Sequence, residues 1–252
     1  MPTQLSPSLL IALVALVALA VGVSLVTRLR VEKDIGGAAL RAVLQLALVA
    51  LVLSAVLRSL ALSLLFALIM LSVAILTSSR RIDAPRAWPW VAAAMATGVI
   101  PVLLIIFGTG AVPLTGAALV PMAGIVIGGS MTASSLTGRK CFAALRDERG
   151  AYEAALSIGL PRPEAISEIV RRHLPEALVP GLDQTRTVGL VTLPGAFVGV
   201  LLGGGSPLQA GAAQILVLVG LLAAQTIVVA VAHQLMRRGL LLPADLRQGL
   251  PL

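Results

Sequence analysis

The side chains able to do chemistry are concentrated in one polar stretch, residues 137–187, reading TGRKCFAALRDERGAYEAALSIGLPRPEAISEIVRRHLPEALVPGLDQTRT. It holds Cys141, His173 and the densest run of acids and bases in the chain. Catalysis by a nucleophile–base pair or a bound metal needs such groups at fixed mutual spacing. His173 has only Glu176, three residues on, as an acidic neighbour, and His233 has none, which speaks against an enzyme. The apolar runs outside this stretch offer Met70, Met95, Met122 and Met131 as soft ligands, without the spacing of a metal cage, so a metal ligand set stays unknown. The densest polar set inside such a run is Ser130, Met131, Thr132, Ser134 and Ser135. No G-x4-G-K-[ST] phosphate loop occurs, so nothing here reads as an ATP site.

The elements that must position these groups are membrane helices. The chain has 252 residues, 58% hydrophobic and 12% charged, against about a quarter charged in a soluble domain. Its net charge of +8 comes without a basic face interleaved with aromatics, which argues against nucleic acid as a partner and for a lipid bilayer. A single cysteine excludes an internal disulfide. With about 20 apolar residues per crossing, the runs predict an all-α, polytopic bundle of about seven spans. They cover about residues 9–26, 38–57, 60–77, 88–107, 117–136, 188–202 and 208–231. No Lys or Arg precedes Arg28, so a cleaved signal peptide is not expected. Seven spans put the N-terminus outside and the C-terminus in the cytoplasm. Of 19 Lys and Arg only Arg58 then falls outside, and all 11 acids fall inside. The whole chain, 1–252, reads as a single transmembrane domain with a cytoplasmic loop at 137–187.

Within the spans, Arg41 and Gln45 lie one helical turn apart near the inner end of the second. They either snorkel to the interface or face the bundle interior. Pro101, Pro121 and Pro194 fall in the fourth, fifth and sixth spans, where proline kinks a helix. Gly124 and Gly128, and Gly195, Gly199 and Gly203, recur every four residues, a spacing that lets helices approach closely. A path for a solute is expected past Arg41, Gln45, Met122, Ser130, Met131, Thr192 and Pro194.

The polar loop itself resolves into two amphipathic helices. Tyr152, Ala155, Leu156 and Gly159 share one face of the first, with Glu153 off it. Ile166, Ile169, Val170 and His173 share a face of the second, which Pro163 suits at its first turn. Each helix thus offers a greasy face to the bundle and a charged face to a partner.

Glu153-Ala154-Ala155, three residues, Gly159 and then Ile169 resemble the coupling-loop motif of permease subunits in ATP-binding-cassette importers; Leu174-Pro175 comes three residues later than that motif has it. Nearly the whole chain resembles the FetB-like family of such permeases. The likeness is carried by Arg41-Ala42-Val43-Leu44-Gln45-Leu46, Pro121-Met122-Ala123-Gly124-Ile125, Gly129-Ser130-Met131 and Val188 to Ala196. Gly203-Gly204-Gly205-Ser206-Pro207 carries it further, while Gly129 stands where the family often has Asn. The resemblance implies a permease exporting iron or another metal ion from the cell's inner (plasma) membrane, with plant relatives tied to aluminium tolerance. It also implies a homodimer and a separate ABC ATPase subunit that binds ATP and Mg, leaving no cofactor in this chain. Tyr152, Glu153, Ala154, Ala155, Leu156 and Gly159 are then the residues coupled to the ATPase. An ion-coupled transporter or channel needing no ATPase is the alternative, and it is disfavoured by the lack of carboxylates in the spans.

Overall fold

A computed structural model of the chain describes residues 7–250. The chain forms two compact units, Met1–Val56 and Leu57–Leu252. Among the described residues the regular structure is helical, apart from one isolated bridge between Val188 and Thr192.

In the first unit, α1 (Pro7–Thr27) is followed by α2 (Glu32–Arg58), which runs on to the start of the second unit. The link between them turns through Arg28 and Arg30, both in the left-handed region at φ 56° and 60°. Ser24, buried near the end of α1, donates from its hydroxyl to Glu32 Oε1 at 2.8 Å and so ties the two helices together. No residue of α2 is buried.

The second unit continues with α3 (Leu60–Arg81), α4 (Trp88–Gly108), α5 (Gly116–Asp147), α6 (Arg149–Ser157) and α7 (Arg162–Val170). Then come α8 (Val179–Thr187), α9 (Gly195–Leu202), α10 (Pro207–Arg237) and α11 (Ala244–Gly249). Local chemistry sets several ends. Ser59 caps α3, its hydroxyl accepting from the Leu62 N–H. Ser206 and Gln209 form a reciprocal capping box at α10, with Pro207 in the first turn, where its missing N–H costs nothing. Trp88 and Trp90 are half-exposed at the start of α4, as interfacial aromatics should be.

The long helices pack through small residues. A Cβ on Gly116 would strike Ser63 Oγ, and Ser78 Oγ donates to Ser134 Oγ at 3.0 Å, so α3 and α5 lie side by side and parallel. Gly98 of α4 rests against Ala224 and Val228 of α10, while Gly220 rests against Ile106 and Val102, so those two helices run antiparallel. Gly129 of α5 lies on Leu221 and Gln225, and Ala133 packs with Val229, so α5 and α10 run parallel. By contrast Gly128, Gly195 and Gly199 meet nothing within 4 Å, and Gly124 meets only the tip of Met70. The close approaches therefore fall on glycines other than those with the four-residue spacing.

Among the described residues six helices are long and apolar enough to cross a membrane: α1, α2, α3, α4, α5 and α10. This corrects the expected sixth helix at 188–202. Residues 188–194 are not helical, and α9 has 8 residues, about 12 Å of rise. Gly189 adopts φ 82°, and Pro194 has no N–H and disfavours helix at Leu193. Pro194 is accordingly the N-cap of α9, whereas Pro101 and Pro121 do lie inside helices. α5 also extends about three turns past its expected end at 136, because Gly138, Cys141, Phe142 and Leu145 continue its buried face.

Candidate coupling surface and membrane path

The two amphipathic helices of the polar loop form as their periodicity requires. α7 buries Ala165, Ile166, Ile169 and Val170 at 0–2% exposure against α5 and α10. The Cys141 thiol points at the Val170 carbonyl. At the polar edge of this contact, Ser167 Oγ lies 3.0 Å from His233 Nε2 of α10, and Arg237 donates to Glu164 Oε1 at 3.2 Å.

α6 packs on α7 through Tyr152, which is fully buried, with Ala155 and Leu156 partly buried beside it. Burial pushes the Tyr152 phenol above its ordinary pKa, with the Arg162 guanidinium at its hydroxyl pulling the other way. The opposite face is open: Glu153, Ala154 and Ser157 are exposed. Glu153 accepts from Arg149 at 3.0 Å along the helix. Gly159 is the pivot between α6 and α7, and its φ of +91° is one that a side chain rarely tolerates. Gly159 thus belongs to the turn rather than to the packed face, and beside it Ile158 is 78% exposed.

A chain of ion pairs fastens this layer to the C-terminal end of α5. Lys140 donates to Glu176 at 2.7 Å and Arg172 to Glu148 at 3.0 Å. His173 stands between the two acids, Nδ1 3.3 Å from Glu176 and Nε2 3.3 Å from Glu148. The Lys140 ammonium holds the Glu176 carboxyl below its usual range, with His173 adding to the effect. Asp245 of α11 takes two bonds from Arg146, at 2.7 and 3.2 Å, which likewise hold its carboxyl low. Sequence reasoning found Glu176 as the partner of His173 but missed Glu148, 25 residues away.

The residues expected to line a path lie on α2, on α5 and in the segment that leads into α9. Arg41 and Gln45 are exposed on α2 in the first unit. Ser130 is fully buried on α5 with its hydroxyl unpartnered, Met122 and Met131 are partly buried, Thr192 is exposed and Pro194 caps α9. Among the described residues no group of three His, Cys, Asp or Glu is placed to hold a metal ion. Two side chains not singled out in the sequence matter more. Gln225, 4% exposed, donates from Nε2 to the Gly129 carbonyl at 3.2 Å, while its Oε1 faces Gly181 of α8 without a partner. Gln214, also 4% exposed, accepts from the Phe197 N–H of α9 at 3.2 Å.

Long apolar helices closed over a small-residue core, with a charged helical layer at one end, define a multi-pass membrane protein. The chain belongs to UPF0014, described as an uncharacterised protein family, which it matches over residues 7–241. It is 36% identical over 220 residues to the UPF0014 membrane protein STAR2 of Oryza sativa subsp. japonica, covering 86% of this chain and 77% of that one. It is 33% identical over 190 residues to the membrane protein YjkA of Bacillus subtilis, covering 74% and 76%. To the probable iron export permease protein FetB of Escherichia coli it is 30% identical over 215 residues, covering 83% and 82%. No solved structure matches significantly. The family likeness read from the sequence motifs is thereby borne out, and the chain is a membrane protein of this family.

Proposed function

We propose that this chain is the membrane subunit of an ABC transporter in the inner (plasma) membrane. It exports a metal ion, iron by analogy with FetB, using ATP and Mg bound by a separate ATPase subunit. The observation that carries the reading is the α6–α7 pair. It is locked to α5 and α10 on one side by Tyr152 and the buried face of α7, and it offers Glu153, Ala154, Ser157 and Ile158 outward on the other. Force applied to that outer face reaches two membrane helices directly. Two copies of the chain would pair with two ATPase subunits.

The same packing supports the expected topology. Because α5 and α10 run parallel, the chain between them must return, so α8, the break and α9 count as a seventh crossing. That keeps the N-terminus outside and the α6–α7 layer in the cytoplasm, where the basic residues favour it.

The test is co-purification with an ATPase, followed by hydrolysis and metal-flux assays in proteoliposomes. Glu153→Lys reverses charge on the open face without touching the core. It should leave the fold intact, keep basal hydrolysis and abolish coupled flux. Normal coupled flux in Glu153→Lys would remove α6 from the mechanism.

A further inference from the structure

Beside the contact that seats α3 on α5 lies a cleft whose charge is all of one sign. Thr132, Ser135, Leu136 and Arg139 recur at i, i+3, i+4 and i+7, so they share one face of α5. Two anchors hold the end of α3 nearby. The Ser135 hydroxyl donates to Ser78 Oγ at 3.3 Å, and Ile82 packs so closely on Gly138 that a Cβ there would strike it. Arg81, in the last turn of α3 between those anchors, is thereby brought to Arg139. The two arginines, with Thr132, Ser135 and Leu136, line a cleft of about 240 Å³.

Neither guanidinium is neutralised. Arg81 and Arg139 are exposed and make no hydrogen bond or ion pair among the described residues. No Asp or Glu lines the cleft. Charged neighbours in sequence are engaged elsewhere: Lys140 pairs with Glu176, and Asp83 lines a different cleft with Arg86 and Arg247. The carbonyl end of α3 opposes an anion with only about half a charge, so two full cations set the sign of the field. Thr132 adds a donor that is easily redirected. Its bond to the Gly128 carbonyl is 3.2 Å, against 2.8 Å for the equivalent bond of Thr137 and about 2.7–2.8 Å as the common O–H···O distance.

Each guanidinium is a planar fork of N–H donors that matches a phosphate in bidentate geometry. The volume limits the ligand. Pockets that enclose drug-sized molecules run to about 300–1,000 Å³, so this smaller cleft suits a headgroup rather than a whole nucleotide. Basic pockets between membrane helices take acidic headgroups in this way. We propose that Arg81 and Arg139 clasp one phosphate group, with Thr132 donating to it, borne by an acidic phospholipid or by free phosphate. The bound anion relieves the repulsion between the two arginines and pins the end of α3 to α5 by charge as well as by packing. This site uses no residue of α6 or α7 and is independent of ATPase coupling.

The test uses the full chain purified in a phosphate-free maltoside detergent. It is titrated with short-chain phosphatidylglycerol, short-chain phosphatidylcholine or inorganic phosphate, with binding read by native mass spectrometry and by the rise in melting midpoint. Phosphatidylglycerol should bind more tightly than phosphatidylcholine, whose choline offsets the phosphate charge. Arg81→Gln and Arg139→Gln should each weaken binding at least about tenfold, as loss of a charge-assisted hydrogen bond does. Thr132→Glu puts a carboxylate into the cleft with both arginines kept, and should abolish binding. Arg80→Gln removes the same charge outside the cleft and should leave affinity nearly unchanged. Competition by inorganic phosphate makes free phosphate a sufficient ligand, whereas lipid binding without such competition assigns the headgroup. Binding of neither probe, or equal losses in Arg80→Gln and Arg139→Gln, overturns the site.

Discussion

Gly98 gives the sharpest check on how closely α4 and α10 approach. A Cβ there would stand 2.6 Å from Val228 Cγ2 and 2.7 Å from the Ala224 carbonyl oxygen. The valine methyl can turn away, but the carbonyl is helix backbone and cannot, so Gly98→Ala must part the helices by several tenths of an ångström. Overpacking of this kind costs about 1–3 kcal/mol. The better helix propensity of Ala returns about 0.5–1 kcal/mol, leaving a net loss of up to about 2.5 kcal/mol. At about 2–4 °C per kcal/mol for a chain of this size, the midpoint should fall by up to about 10 °C. Gly128→Ala is the matched control, since its Cβ meets nothing within 4 Å, and it should hold or raise the midpoint. Both tryptophans, Trp88 and Trp90, sit on α4, so intrinsic fluorescence during a thermal ramp reads the helix being displaced. Equal midpoints for Gly98→Ala and Gly128→Ala would refute the contact.

Two further outcomes follow from the charged helical layer. Tyr152→Ala removes the buried side chain that holds α6 to α7, a change worth about 3–5 kcal/mol locally; trypsin should then cut at Arg149 while the melting of the bundle barely moves, and simultaneous loss of both would deny α6 its independence. The lowered carboxyl of Asp245 contributes stability present above its unfolded pKa of about 4 and lost as pH falls through the lower folded value. Because the Arg146–Asp245 pair is exposed, its release below pH 4 should cost under about 1 kcal/mol, and Asp245→Asn should flatten that part of the acid limb of a stability profile.

The spans of the second unit that form single helices were legible because continuous apolar runs leave no other solution in a bilayer. The polar loop was legible for the same reason at a different period: Tyr152, Ile166, Ile169 and Val170 recur at helical spacing, and all four are buried. The break at 188–194 was not. Val188 to Leu202 is as apolar as any span, and hydropathy alone gives little weight to Gly189 or Pro194. α8, with Asp183 and Arg186, reads from sequence as part of the polar loop, and its place against α10 at Gln225 is a long-range contact. Residues such as Glu148 and Gln225 meet their partners across 25 and 96 positions, and no local pattern encodes that.

The unbroken course of α5 from Gly116 to Asp147 fixes a rotational phase between the two ends of the molecule. Each residue advances the helix by about 100°, so one residue inserted near Gly128 would swing Cys141, Phe142 and Leu145 out of their packing and carry Lys140 away from Glu176. The same insertion within 188–194 meets no helical phase to upset. Twist imposed on α5 at its N-terminal end is therefore delivered intact at its C-terminal end, whereas the non-helical segment 188–194 absorbs it.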